Sequence, residues 1–476
     1  MKKNSFTDDP KIQKNRWWIM FAVSLFTFMS VLDGSIVNIA LPVMSKDMKI
    51  PMNQSEWVVS IYLIVICALL LLFGKLGDNF GKIKIFKLGA ILFTIGSLLC
   101  GINLGLIPLL IARAIQAIGA AMTMSTNNGI ITEIFPFNER GRALGTIGSF
   151  VALGAIAGPG LGGIILAHLD WTYIFWINIP IGIIGIIIGQ FILPKDISVA
   201  NEKIDHLGST MFAIFMLSLF IGVFLGQEIG FGKPSILILF AIAVISIITF
   251  IYIETHVDNP ILSLSLFKNL GFSINIFCAL LIFITGFFFN VVSPFYLENA
   301  RGMAANYAGY ALMIMPLIQG IVSPIIGGWS DKIGRHLLTF VGLIMISISQ
   351  IGYMITTLDT PLWLFMFFIG LVGLGNGVFM APNNTLIMSA VETKDLGVAG
   401  SINALARELG MVIGISLATT VLFASMSHTA GYKVTTYVPA HPEYFISGMH
   451  TTFLVSMIIC LIATVVSGFN FFYHKK

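Results

Sequence analysis

Four ionisable residues stand deep inside long apolar runs, where charge is costly, and their types suggest proton and cation chemistry. Asp33 lies in the run 17–41 and Arg113 in the run 106–134. Counted along ideal helices, Asp33 is about 16 residues, or ~24 Å, from the start of its run, and Arg113 is about 7 residues, or ~10 Å, from the opposite surface. The two depths nearly coincide. An isolated charge there costs on the order of 3 kcal/mol or more, so a pair or a wet cavity is expected. Two readings follow: Asp33 exchanges protons while Arg113 tunes the exchange, or the two form a permanent structural ion pair. Arg407 and Glu408 lie about 10 residues, or ~15 Å, into the run 396–426, close to midplane. Neighbouring helical residues point ~100° apart, which predicts that the two do not share a partner and that one faces a central cavity. A midplane carboxylate that binds either a proton or a cationic compound, but not both, gives exchange. The alternative is a packing salt bridge to another helix.

Weaker candidates surround these. Asn38, Gln116 and Asn290 are polar groups inside apolar runs and are candidate cavity residues with Arg407 and Glu408; interhelical hydrogen bonding explains such residues equally well. Glu133, 20 residues past Arg113, falls at the level of Asp78 and Lys82. These three read as a charge latch between helix ends, with Asp331 and Arg335 as a second one, or else as simple topology charges. Gly154, Gly158, Pro159, Gly162 and Gly163 share one run. Small residues let helices approach, and proline permits a bend. The tail of that run spells G-x-G-x-x-G at Gly158, Gly160 and Gly163, but no strand precedes it, so a dinucleotide site is rejected. Cys67, Cys100, Cys278 and Cys460 all lie in apolar stretches without CxxC spacing, and neither a metal site nor a disulfide framework is predicted. There is no P-loop, nucleophile elbow or HExxH. A cofactor is not expected, and a proton gradient is the expected energy source.

The elements that must hold these residues follow from composition. Of 476 residues, 57% are hydrophobic and 10% charged, against about 25% charged in soluble domains. Fourteen apolar stretches, from 17–41 to 448–473, are each long enough for a ~30 Å hydrocarbon core. The net charge of +4 is spread along the chain and reads as loop charge, with no nucleic-acid footprint. Nineteen Lys and Arg fall on the side of the termini and five on the other. The positive-inside rule then places both termini in the cytoplasm of a cell-membrane protein. Gly74-Lys-Leu-Gly-Asp78-Asn-Phe-Gly81-Lys82 repeats as Gly327-Gly-Trp-Ser-Asp331-Lys-Ile-Gly334-Arg335, 57 and 58 residues after Trp17 and Asn269. The expected fold class is an all-α polytopic membrane protein: two pseudo-symmetric six-helix bundles at 17–193 and 269–473, an inserted helix pair and linkers at 194–268, and cytoplasmic ends at 1–16 and 474–476. Repeated halves are a recurrent transporter architecture; a two-copy repeat also suits a channel.

The motifs in order resemble the fourteen-helix drug:proton antiporters of the major facilitator superfamily, the group with quaternary-ammonium and multidrug exporters. Leu32-Asp33-Gly34-Ser35-Ile36-Val37-Asn38-Ile39-Ala40-Leu41-Pro42 resembles the first-helix motif. Gly74 to Lys82 resembles the loop motif, Leu110 to Ala120 the fourth-helix arginine motif, and Gly154 to Gly163 the antiporter motif of helix five. The resemblance implies a non-enzymatic, proton-coupled antiporter that exports small lipophilic, often cationic, compounds by alternating access and confers drug resistance. A monomer in the bilayer is expected. Export of one endogenous lipid, peptide or metabolite is the alternative. Two departures matter: no Asp or Glu occurs at 57–72 or 304–328, which argues against divalent-cation export, and Ala155-Ile-Ala157 lacks the acid of the tetracycline exporters.

Overall fold

A backbone in lipid must satisfy its own N–H and C=O groups, and helices do so within one segment. The computed structural model describes residues 6–196, 205–257, 260–262, 264–391 and 396–475, and among them no strand occurs. The long helices are α1 (Pro10–Asp47), α2 (Trp57–Phe80), α3 (Lys82–Cys100), α4 (Leu106–Ile134), α5 (Phe137–His168), α6 (Asn178–Ile192), α7 (His206–Ile229) and α8 (Pro234–His256). They continue as α9 (Leu270–Phe295), α10 (Ile314–Ile333), α11 (Arg335–Met354), α12 (Leu362–Ser389), α13 (Leu396–Ala430) and α14 (Pro442–Lys475). Thirteen described stretches are long and apolar enough to cross a membrane. The expected fourteenth, 141–168, coincides with α5, a helix of 32 residues whose described Leu153–His168 part is apolar but shorter. Large apolar side chains such as Ile238, Ile245 and Ile248 of α8 are exposed, as suits a lipid solvent. The protein is a multi-pass membrane protein.

Local chemistry explains several boundaries. Asp205 caps α7 by accepting from the Gly208 N–H at 2.8 Å, and Asn269 caps α9 by accepting from Phe272 N–H at 3.2 Å. Pro234 opens α8, where its missing N–H costs nothing. The two glycines that close the repeated motif do the same job: Gly81 has φ 105° and ψ 123°, and Gly334 has φ 106° and ψ 119°, each just before a helix. Only glycine adopts this region without strain. Eight residues on, Gly89 and Gly342 bring the third and fourth helices of each repeat together. A Cβ at either would lie 2.8 Å from a carbonyl oxygen, of Gly119 and Gly375 respectively. The repeat in sequence is thus a repeat in backbone geometry.

The chain forms two compact units. The first comprises residues 1–37, 57–158 and 170–263. Within it, α7 packs on α2, with the Trp57 and Phe224 rings 4.9 Å apart, and α8 packs on α7 through Phe212 and Phe250 at 5.2 Å. The second comprises 38–56, 159–169 and 264–476. Its interior holds Cys278, Ile282, Leu343, Ile346, Phe379, Cys460 and Ala463, and Tyr353 packs on Phe289, Phe365 and Phe453. All four cysteines are buried, and none is in a disulfide.

Candidate functional site

The first unit buries a charged pair where the apolar runs of α1 and α4 place it. Asp33 and Arg113 are both fully buried, and Arg113 Nη1 donates to Asp33 Oδ2 at 2.5 Å. One turn along α4, Gln116 Nε2 donates to Asp33 Oδ1 at 2.8 Å, while its Oε1 accepts from Arg113 Nη1 at 2.6 Å. Asn178, the first residue of α6, donates from Nδ2 to the same Asp33 Oδ1 at 2.9 Å. Three donors on three side chains therefore converge on one carboxylate, which as an ion is an acceptor only. Arg113 has further contacts through Nε and the face of its guanidinium. Its Nε donates to the Val58 carbonyl at 2.9 Å, and its guanidinium lies 4.2 Å from the Tyr62 ring centroid and 5.4 Å from that of Phe175. Ser97 accepts from Gln116 at 2.8 Å and ties α3 to the cluster. A proton on Asp33 would turn an acceptor oxygen into a donor and displace one of these partners. Protonation and the mutual packing of α1, α2, α4 and α6 are therefore chemically linked.

The remaining sequence candidates divide. Gln116 joins the Asp33 cluster, whereas Asn38 is buried five residues further along α1 and Asn290 is half-buried on α9. Asn127 of α4 donates to Thr27 of α1, a packing hydrogen bond. In the second unit, Arg407 and Glu408 bond to each other: Arg407 Nη2 and Nε donate to Glu408 Oε1 at 3.0 and 3.2 Å. The salt bridge thus joins the two neighbours themselves and not another helix, because the arginine side chain is long enough to fold back over the buried Glu408. Lys82 and Glu133 pair at 2.6 Å, both partly exposed, while Arg335 opens α11. Asp78 and Asp331, the other expected latch residues, lie outside the residues whose side chains are described.

The glycine motif of α5 serves close packing. Within the first unit, a Cβ at Gly154 would lie 2.8 Å from the Phe28 carbonyl oxygen, and one at Gly158 would collide with Ser35, both on α1, the latter two residues from Asp33. Within the second unit, a Cβ at Gly163 would lie 2.9 Å from the Ala305 carbonyl oxygen. Gly162 is buried, and Pro159 lies inside the helix.

Three functional-looking residues escaped the sequence reading. Asn178 sits at a helix start, where asparagine is commonplace. Asp196 follows α6 and accepts from the backbone N–H groups of Ile83 and Lys84 at 2.9 and 3.1 Å, capping α3 beside Gly81. Glu56, one residue before α2, is buried. Only tertiary structure brings the first two to their partners.

The chain matches the Major Facilitator Superfamily over residues 23–414 and 275–475. It is 33% identical over 457 residues to the riboflavin transporter RibZ of Clostridioides difficile, covering 96% of this chain and 98% of that one. It is 31% identical over 405 residues to the multidrug export protein EmrB of Escherichia coli, covering 84% and 79%. It is 26% identical over 411 residues to the multidrug resistance protein Stp of Mycobacterium tuberculosis, covering 86% and 76%. Among solved structures, it superposes on a peptide transporter POT with a TM-score of 0.68 at 13% identity, covering 98% and 96%. It superposes on a bacterial Spinster homologue in an inward-facing conformation with a TM-score of 0.67 at 14% identity, covering 96% of each chain. With the repeated halves, the apolar helices and the buried pair in view, the protein belongs to the Major Facilitator Superfamily and is a small-molecule transporter, not an enzyme.

Proposed function

We propose that this transporter is a proton-coupled antiporter that exports small lipophilic compounds, often cationic, from the cytoplasm by alternating access. Both termini then face the cytoplasm, as the Lys and Arg bias favours. The observation that carries the reading is the fully buried Asp33 carboxylate, held by Arg113, Gln116 and Asn178. In the proposed cycle, a proton reaching Asp33 displaces a donor and loosens α1 from α4 and α6. Return of the donor expels the proton to the other side. The glycines of α5 that press on α1 beside Asp33 give that movement a packed surface to slide on. The likeness to EmrB and Stp supports drug export.

A second reading, carriage of one endogenous metabolite, has its own support. The relative RibZ, named as a riboflavin transporter, aligns over nearly the whole chain, and Arg407 covers the acid that would have received a cation. Proteoliposomes with an imposed pH gradient separate the readings. Ethidium and tetraphenylphosphonium should both be moved by the wild type, and Asp33→Asn should stop the movement with the protein still folded. Movement of riboflavin with neither dye transported would favour the second reading. Dye accumulation by Asp33→Asn equal to the wild type would remove the proton role from Asp33.

A further inference from the structure

Glu56 belongs to neither the Asp33 cluster nor the Arg407–Glu408 pair. It joins the short helix Met52–Ser55 to α2, at the end of α2 opposite the repeated loop motif. Its relative exposure is 1%. Both of its carboxyl oxygens are buried without a hydrogen-bond partner, and so is Oδ1 of Asn53, three residues earlier on the same turn. Three acceptor oxygens with no donor are a defined deficit. An ionised carboxylate there would lose its hydration and gain nothing in return. A metal ion is a poor remedy, since no cluster of three acidic, histidine or cysteine side chains is found among the described residues and one carboxylate with one amide is too few ligands for a protein cage. A single hydrogen ion supplies what is missing: it removes the charge and provides a donor.

We propose that Glu56 is a second proton-binding site of this transporter, occupied in the conformation described here and emptied when the adjoining end of α2 becomes hydrated. The site stands apart from the Asp33 reading, because its occupancy is measured without transport.

The test is infrared difference spectroscopy on the purified full-length protein in lipid nanodiscs, with no substrate added. The wild type should show, at neutral pH, a protonated-carboxyl C=O stretch that moves on exchange into D2O. Glu56→Gln should lose one such band, Glu56→Asp should displace it, and Asp33→Asn should keep it. Should Glu56→Gln fail to fold, the displacement in Glu56→Asp carries the same information. A Glu56→Gln spectrum that superimposes on the wild type, an unmoved band in Glu56→Asp, or loss of the band in Asp33→Asn would each overturn the proposal.

Discussion

Arg113 contacts five other residues of the first unit, and it is both fully buried and charged. Removing one member of a buried ion pair typically costs about 3–5 kcal/mol, because the other is left charged in a dry site. Arg113→Ala should therefore lower thermal unfolding by an amount of that order, and Arg113→Ala combined with Asp33→Asn should recover part of the loss. The same logic applies to Arg407 and Glu408. Arg407→Ala alone should destabilise more than the Arg407→Ala, Glu408→Gln double variant, and a mutant cycle on purified protein checks it. Asn178→Ala removes one donor from a charged acceptor and should cost on the order of 1–3 kcal/mol. Asp33 and Arg113 were legible in the sequence because charge inside an apolar run must be compensated at its own depth. Gln116 was visible as a polar residue one turn from Arg113. Asn178 was not, since an amide at a helix start looks like any cap. The bond between Arg407 and Glu408 was not legible either, because Cα directions do not show the reach of a guanidinium.

At the scale of helices, the repeated motif shows how sequence similarity becomes shared geometry. Gly81 and Gly334 adopt nearly the same positive-φ conformation before the third helix of each repeat. Gly81→Ala should cost roughly 1–3 kcal/mol from backbone strain, and more because its Cβ would collide with Asp196. Gly334→Ala has open space around it and should show the strain alone. Comparing the two unfolding shifts separates strain from collision. Spans and motifs could be read from hydropathy and glycine spacing, whereas Asp196 could not. It caps α3 from beyond α6, 112 residues away from Lys84, and no local pattern announces so distant a cap. The α5 glycines, by contrast, were identified from composition, and close approach to α1 and to Ala305 gives them their physical role.

At the scale of the whole molecule, the repeat is geometric while the chemistry is not duplicated. Gly89 and Gly119 of the first repeat answer Gly342 and Gly375 of the second. Counting back six residues from Gly119 reaches Arg113, while the same step from Gly375 reaches Ile369. The Asp33–Arg113 centre therefore has no counterpart at the matching position of the second repeat, whose partly buried ion pair, Arg407 with Glu408, stands on α13 instead. Both termini should share the cytoplasmic side: cysteines added at each end should react with a membrane-impermeant maleimide in inside-out vesicles and stay unlabelled in intact cells. The most direct measurement is substrate-coupled proton flux, followed with a pH-sensitive dye trapped in proteoliposomes while ethidium or riboflavin is moved down its own gradient. A transported compound should drive protons the opposite way in the wild type and none in Asp33→Asn. Transport by the wild type with no counterflow of protons would contradict the account.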